Sequence, residues 1–152
     1  MMDPQSRAVL QALIQRESQS LLHYVCESFP WITAREQEAL DRLQQINKEE
    51  MESAAVLARY LFKHHIVPAA LGSYPMTYTN INYMALDHLM PLLITYQQGQ
   101  VGELEKDLRK IKDAEARQHV EQFLDMKRRH LGTLEELAQS LVEARPAISS
   151  PS

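Results

Sequence analysis

The sequence predicts an all-α protein of four long helices, and three observations predict it. Apolar residues recur at helical spacing through most of the chain, no apolar/polar alternation runs long enough to form a sheet, and prolines fall mainly at or between the ends of the periodic segments. With 152 residues, the chain is the size of one domain and can bury roughly 70% of its unfolded surface in a single core. The expected ordered part is residues 5–144, followed by a polar tail at 146–152.

The first helix is expected to start at Asp3, an N-cap with Pro4 in the first helical position, and to continue to about Ser28, where Pro30 closes it. Thr33 and Glu36 have the spacing of a capping box and open the second helix. Leu40, Leu43, Ile46, Leu57 and Leu61 carry that helix to about His65. The segment from Ile66 to Thr79 holds Pro68, Gly72 and Pro75 and lacks helical periodicity, so it reads as a connection, packed through Tyr74, Met76 and Tyr78. The third helix is expected from near Asn80 to about Lys110, bent or locally broken at Pro91. The fourth follows from Asp113 to about Ala144. Lys106, Arg109 and Lys110 suit a helix C-terminus, and Asp113 and Glu115 a new N-terminus.

Each long segment loses its apolar stripe near its middle. The interruptions are Gln15 to Ser20, Asn47 to Glu50, Gln97 to Gln100 and Lys127 to His130. The first is a run of polar residues longer than a helical turn, so at least one of them must face inward. The connection 66–79 is about 14 residues long and reaches up to about 45 Å when extended, which spans a bundle end to end. Two antiparallel hairpins joined by one long crossover need such a connection; an up-down-up-down bundle does not. Counted from the helix starts, the interruptions of the second and third helices fall at the same level, and those of the third and fourth meet across their turn. The first helix is out of level by roughly 8 Å at 1.5 Å per residue.

With these features the chain resembles the ferritin-like superfamily, whose four-helix bundles have this long crossover and, in di-iron members, place a Glu on each of two helices and a Glu-x-x-His on each of the others. Here the second helix offers Glu50-Met51-Glu52-Ser53, with Ser in the place of His. The fourth offers Lys127-Arg128-Arg129-His130, with Lys in the place of Glu. Glu17 is the candidate on the first helix; the third has Tyr96 near the right level, with Asp87 and His88 too early. The resemblance therefore implies a degenerate di-iron motif. Carboxylates bridge and neutralise two iron ions, whereas a lysine ammonium repels a metal and can instead pair with Glu50 or Glu17.

The binding candidates are thus Glu17, Glu50, Lys127 and His130, with no catalytic or metal residue assigned and no cofactor expected. The alternative is iron or another transition metal held by Glu17, Glu50, Tyr96 and His130. Plainer readings stand beside these: Glu17 and Glu50 at solvent, Lys127 snorkelling, and His130 as a neutral core histidine. The expected role is an interaction or structural module, a homodimer through one bundle face, against a metal-dependent oxidoreductase or metal-handling protein; a small apolar ligand between the helices is a third possibility. A net charge of −4, with both signs spread along the chain, argues against nucleic acid. Cys26 is the only cysteine, and neither a signal segment nor a long uncharged apolar run is seen, so a cytoplasmic protein without membrane contact is expected.

Overall fold

The computed structural model describes residues 2–28, 32–66, 74–82 and 84–144. Among them it is all-helical: α1 (Pro4–Ser18), α2 (Leu21–Ser28), α3 (Gln37–Lys63), α4 (Leu86–Lys110) and α5 (Ala114–Ala144), with 3₁₀ turns at Ala34–Glu36 and Met76–Ile81. Among the described residues no helix is long and apolar enough to cross a membrane. Pro30, Pro68, Gly72 and the tail from 146 lie outside the described residues.

The ends of the helices follow their sequence signals. Asp3 Oδ2 accepts from the Ser6 backbone N–H at 3.0 Å, and Pro4 occupies the first helical position, where its missing N–H costs nothing. Both hydrogen bonds of the Thr33/Glu36 capping box form, ahead of the 3₁₀ turn that leads into α3. His65 ends that helix with φ 59°, the left-handed conformation usual just past a helix C-terminus, and Ile66 N–H returns to Leu61 O at 2.9 Å. Between α4 and α5, Arg117 donates to the carbonyls of Leu108 and Ile111, and Asp113 Oδ2 accepts from Ala116 N–H at 2.9 Å. The carbonyls freed where α4 ends thus have a partner, and the turn needs neither Gly nor Pro.

Two expected boundaries are corrected. The first helix is not continuous to Ser28: α1 stops at Ser18, Gln19 leaves the helical region (φ −113°, ψ 35°), and α2 starts at Leu21. Hydroxyls flanking the break compete for backbone groups. Ser20 Oγ accepts from His23 N–H at 3.1 Å, and Tyr78 donates to the Gln19 carbonyl at 3.2 Å. The third helix begins at Leu86 rather than near Asn80, because Met76–Ile81 closes on itself as a 3₁₀ turn. Thr79 Oγ1 donates to Met76 O at 2.7 Å there, Asn82 is non-helical (φ −59°, ψ 136°) and Ala85 is extended. Once started, α4 runs through Pro91 without interruption.

The buried apolar residues fall into two clusters. One gathers Leu10, Leu13 and Ile14 of α1, Leu57 and Leu61 of α3, Val101 and Leu104 of α4, and Val120, Phe123 and Leu124 of α5. The other gathers Leu21, Leu22 and Val25 of α2, Leu40, Leu43 and Ile46 of α3, Leu86, Leu89 and Leu93 of α4, and Leu134 and Leu141 of α5. On every strand of the bundle the residues lying between the two sets in sequence include buried polar ones: Glu17, Glu50, Gln97, Gln100, Lys127 and His130. A polar layer divides the core into two apolar slabs.

Candidate functional site

Each polar side chain in the layer takes the place of an apolar residue on a core-facing stripe. On α3 the series is Leu43, Ile46, Glu50, Leu57; on α4 it is Leu93, Gln97, Gln100, Leu104; on α5 it is Leu124, Lys127, His130, Leu134. Steps of three, four and seven keep all of them on one face, so the helical repeat that builds the core also carries the charges inward.

Lys127 is the centre of the arrangement and is 1% exposed. Its Nζ donates to Glu50 Oε1 at 2.8 Å and to Gln100 Oε1 at 3.0 Å, and Glu17 Oε1 stands at 3.7 Å. Gln97 Nε2 donates to Glu50 Oε2 at 3.0 Å and to the Lys127 carbonyl at 3.2 Å. Gln100 turns its amide N–H₂ to Glu17 Oε2 in a short hydrogen bond. His130 completes the layer with Nδ1 at 2.8 Å from Glu50 Oε2 and Nε2 at 2.7 Å from Glu49 Oε2. A ring protonated on both nitrogens donates to both carboxylates, whereas a neutral ring can donate to only one. The readings that left Glu17 and Glu50 at solvent, or Lys127 snorkelling, do not describe this arrangement. The 8 Å offset of the first helix does not keep Glu17 away from the ammonium.

The two buried carboxylates respond in opposite directions. Burial pushes the Glu50 carboxyl up, but Lys127 and the hydrogen bonds from His130 and Lys127 outweigh it and hold the group below its ordinary value. For Glu17 burial wins: with Lys127 at longer range and Glu50 adding repulsion, its carboxyl stays above its ordinary value. Glu17 Oε1 has no hydrogen-bond partner.

The donor set does not fit a di-iron centre. Among the described residues no group of three or more His, Cys, Asp or Glu side chains is placed to hold a metal ion. The position that a cation would take between Glu50 and Glu17 is filled by the lysine ammonium. Tyr96, expected at the metal level, is outside the network. Its ring packs edge-on against Tyr78 with centroids 6.2 Å apart, and burial raises its phenol. Asp87 and His88 lie at the first turn of α4, and His88 is exposed. Arg128 is at the surface beside Glu105 at 3.2 Å. Burial pushes the Cys26 thiol up to about 12, which keeps it protonated and a poor nucleophile.

Three members of the network, Gln97, Gln100 and Glu49, lie in the polar interruptions seen in the sequence but were not among the binding candidates. The first two are three residues apart on the stripe, a spacing that marks them as one facing pair. Beyond its place in that interruption nothing marked Glu49, which is half exposed and reaches His130 only from the rim. No protein-family model, curated protein or solved structure matches the chain, so its chemistry is read from its own residues.

Proposed function

We propose that this chain is a degenerate ferritin-like bundle, two antiparallel helix hairpins joined by a long crossover, acting as a non-enzymatic interaction or structural module with an ion-pair network where relatives would hold iron. The order in which the helices feed the two apolar slabs supports the topology. α1–α2 and α5 pass from the first cluster to the second, while α3 and α4 both pass from the second to the first. Consecutive helices α3 and α4 therefore run the same way, with Ile66 in the first cluster and Leu86 in the second, as two hairpins joined by one crossover require.

The observation that carries the reading is the Lys127 ammonium 2.8 Å from Glu50 and 3.7 Å from Glu17, at 1% exposure. A fixed cation there neutralises the carboxylates without a metal, and pairing across α1, α3 and α5 ties the helices into one register. The partner is a second copy of the chain, meeting large apolar side chains left on the surface, among them Phe62 at 74% exposure and Val142 at 56%. Metal analysis of protein purified without chelators should find well under one ion per chain; one or two equivalents of iron, manganese or zinc would overturn the reading. Light scattering should give twice the 17.5 kDa chain mass, and a monomer at tens of micromolar would remove the dimer.

A further inference from the structure

The side of the layer away from His130 opens into a cleft of about 370 Å³ between α1–α2 and α3. This lies within the range of small-molecule sites, roughly 300–1,000 Å³. Its walls are mostly apolar: Ile14 on one side, Met51, Ala54, Ala55 and Ala58 on the other. The alanines are what keep it open, since larger side chains at those α3 positions would fill the space. The break in the first helix lies at its edge, with Ser18 and Ser20 on the lining.

Its charged lining has one sign. Glu17 and Glu50 both contribute, no lysine or arginine does, and His23 is engaged by Glu27 at 3.1 Å and by Asn47. Glu50 is saturated by Lys127, Gln97 and His130. Glu17 is not. It is 8% exposed, one oxygen is held by Gln100, and the other has no hydrogen-bond partner, with the nearest ammonium at 3.7 Å. A buried acceptor without a donor is costly, and here it belongs to a residue that lines a cavity, with the oxygen itself closed off from the cleft until the side chain turns.

We propose that this cleft binds a small amphiphilic amine, the Glu17 carboxylate turning toward the cleft to accept from its ammonium and its apolar body lying against Ile14, Met51 and Ala54. A second cation beside Glu17 brings the buried charges of Glu17, Glu50 and Lys127 to balance and gives the unpartnered oxygen its donor. A carboxylate ligand meets two acids and gains nothing. An alcohol of the same length fills the apolar space but brings no charge. The inference stands on the Glu17 side of the layer alone, so a monomer would overturn the dimer proposed above without touching it.

The test is calorimetric titration of the full chain with hexylamine, hexan-1-ol and hexanoate at one pH and ionic strength. Hexylamine should bind at least tenfold more tightly than either of the others. In Glu17→Gln the preference over hexan-1-ol should vanish, with hexan-1-ol binding unchanged, and in Ala55→Phe the filled cleft should weaken all binding at least tenfold. Circular dichroism checks that both variants fold; should Glu17→Gln fail to fold, Ala55→Phe decides. Hexanoate binding as tightly as hexylamine, an amine preference that survives Glu17→Gln, amine binding unaffected by Ala55→Phe, or no heat with any probe would each overturn the proposal.

Discussion

Glu50 and Glu17 are the same residue type, buried to nearly the same degree, on either side of one ammonium, yet they live in different surroundings. Glu50 has three polar contacts within 3.0 Å, Lys127 on Oε1 and Gln97 and His130 on Oε2, whereas Glu17 has Gln100 and a lysine at 3.7 Å.

 The difference teaches that a nearby opposite charge does not by itself compensate burial. Direct contact and a full set of hydrogen bonds do, and where they are missing the cost of desolvation remains.

Removing the shared ammonium should have the largest effect. Lys127→Met leaves both acids buried without a cation and should cost about 3–5 kcal/mol at neutral pH in urea or thermal unfolding. Combining it with Glu17→Gln and Glu50→Gln should recover most of that loss, since no unpaired charge is left inside. A loss below about 1 kcal/mol in the single variant would mean that the layer is not an ion-pair network.

The two acids should then separate when changed singly. Glu50→Gln breaks the bonded side and should cost about 2–3 kcal/mol, while Glu17→Gln, which removes an under-compensated charge, should stay within about 1 kcal/mol of the parent. Equal losses in denaturant titrations would erase the contrast.

Acid should distinguish them by sign. The ordinary value for both groups is 4.5. Glu50 is held below it, so its contribution is present above 4.5 and is lost as pH falls through its lowered folded value. Glu17 is held above it, so its contribution is most favourable when protonated, and stability falls as pH rises from 4.5 through its raised folded value. Stability measured against pH should lose the second slope in Glu17→Gln and the first in Glu50→Gln. An unchanged profile in either variant would contradict the assignment.

The smallest effect is expected at the helix break on the Glu17 side. Tyr78→Phe removes the donor to the Gln19 carbonyl and should cost about 1 kcal/mol or less, read as a small fall in melting temperature. A larger loss would show that the break depends on that tyrosine more than on the local hydroxyl of Ser20.

Much of the site was legible in the sequence because one helical repeat governs both kinds of residue. The spacing that puts Leu43, Ile46 and Leu57 in the core also puts Glu50 there, and Leu124 and Leu134 bracket Lys127 and His130 in the same way. The break at Gln19 was not legible, because Ser18 to Ser20 is as compatible with a polar turn of a continuous helix as with its end. The choice was made by Tyr78 and Ser20, and Tyr78 is nearly sixty residues away along the chain, as its hydrogen bond to Gln19 records.

The all-helical class, the caps at Asp3 and Thr33, and the inward direction of the polar residues follow from local chemistry and periodicity, so the sequence alone determined them. Which oxygen meets which donor did not follow. Whether Lys127 lies 2.8 Å from Glu50 but 3.7 Å from Glu17 depends on how far apart separate helices settle, and that distance is set by the packing of two whole apolar slabs. A difference of about an ångström decides whether a hydrogen bond forms, and no spacing within a single helix encodes it.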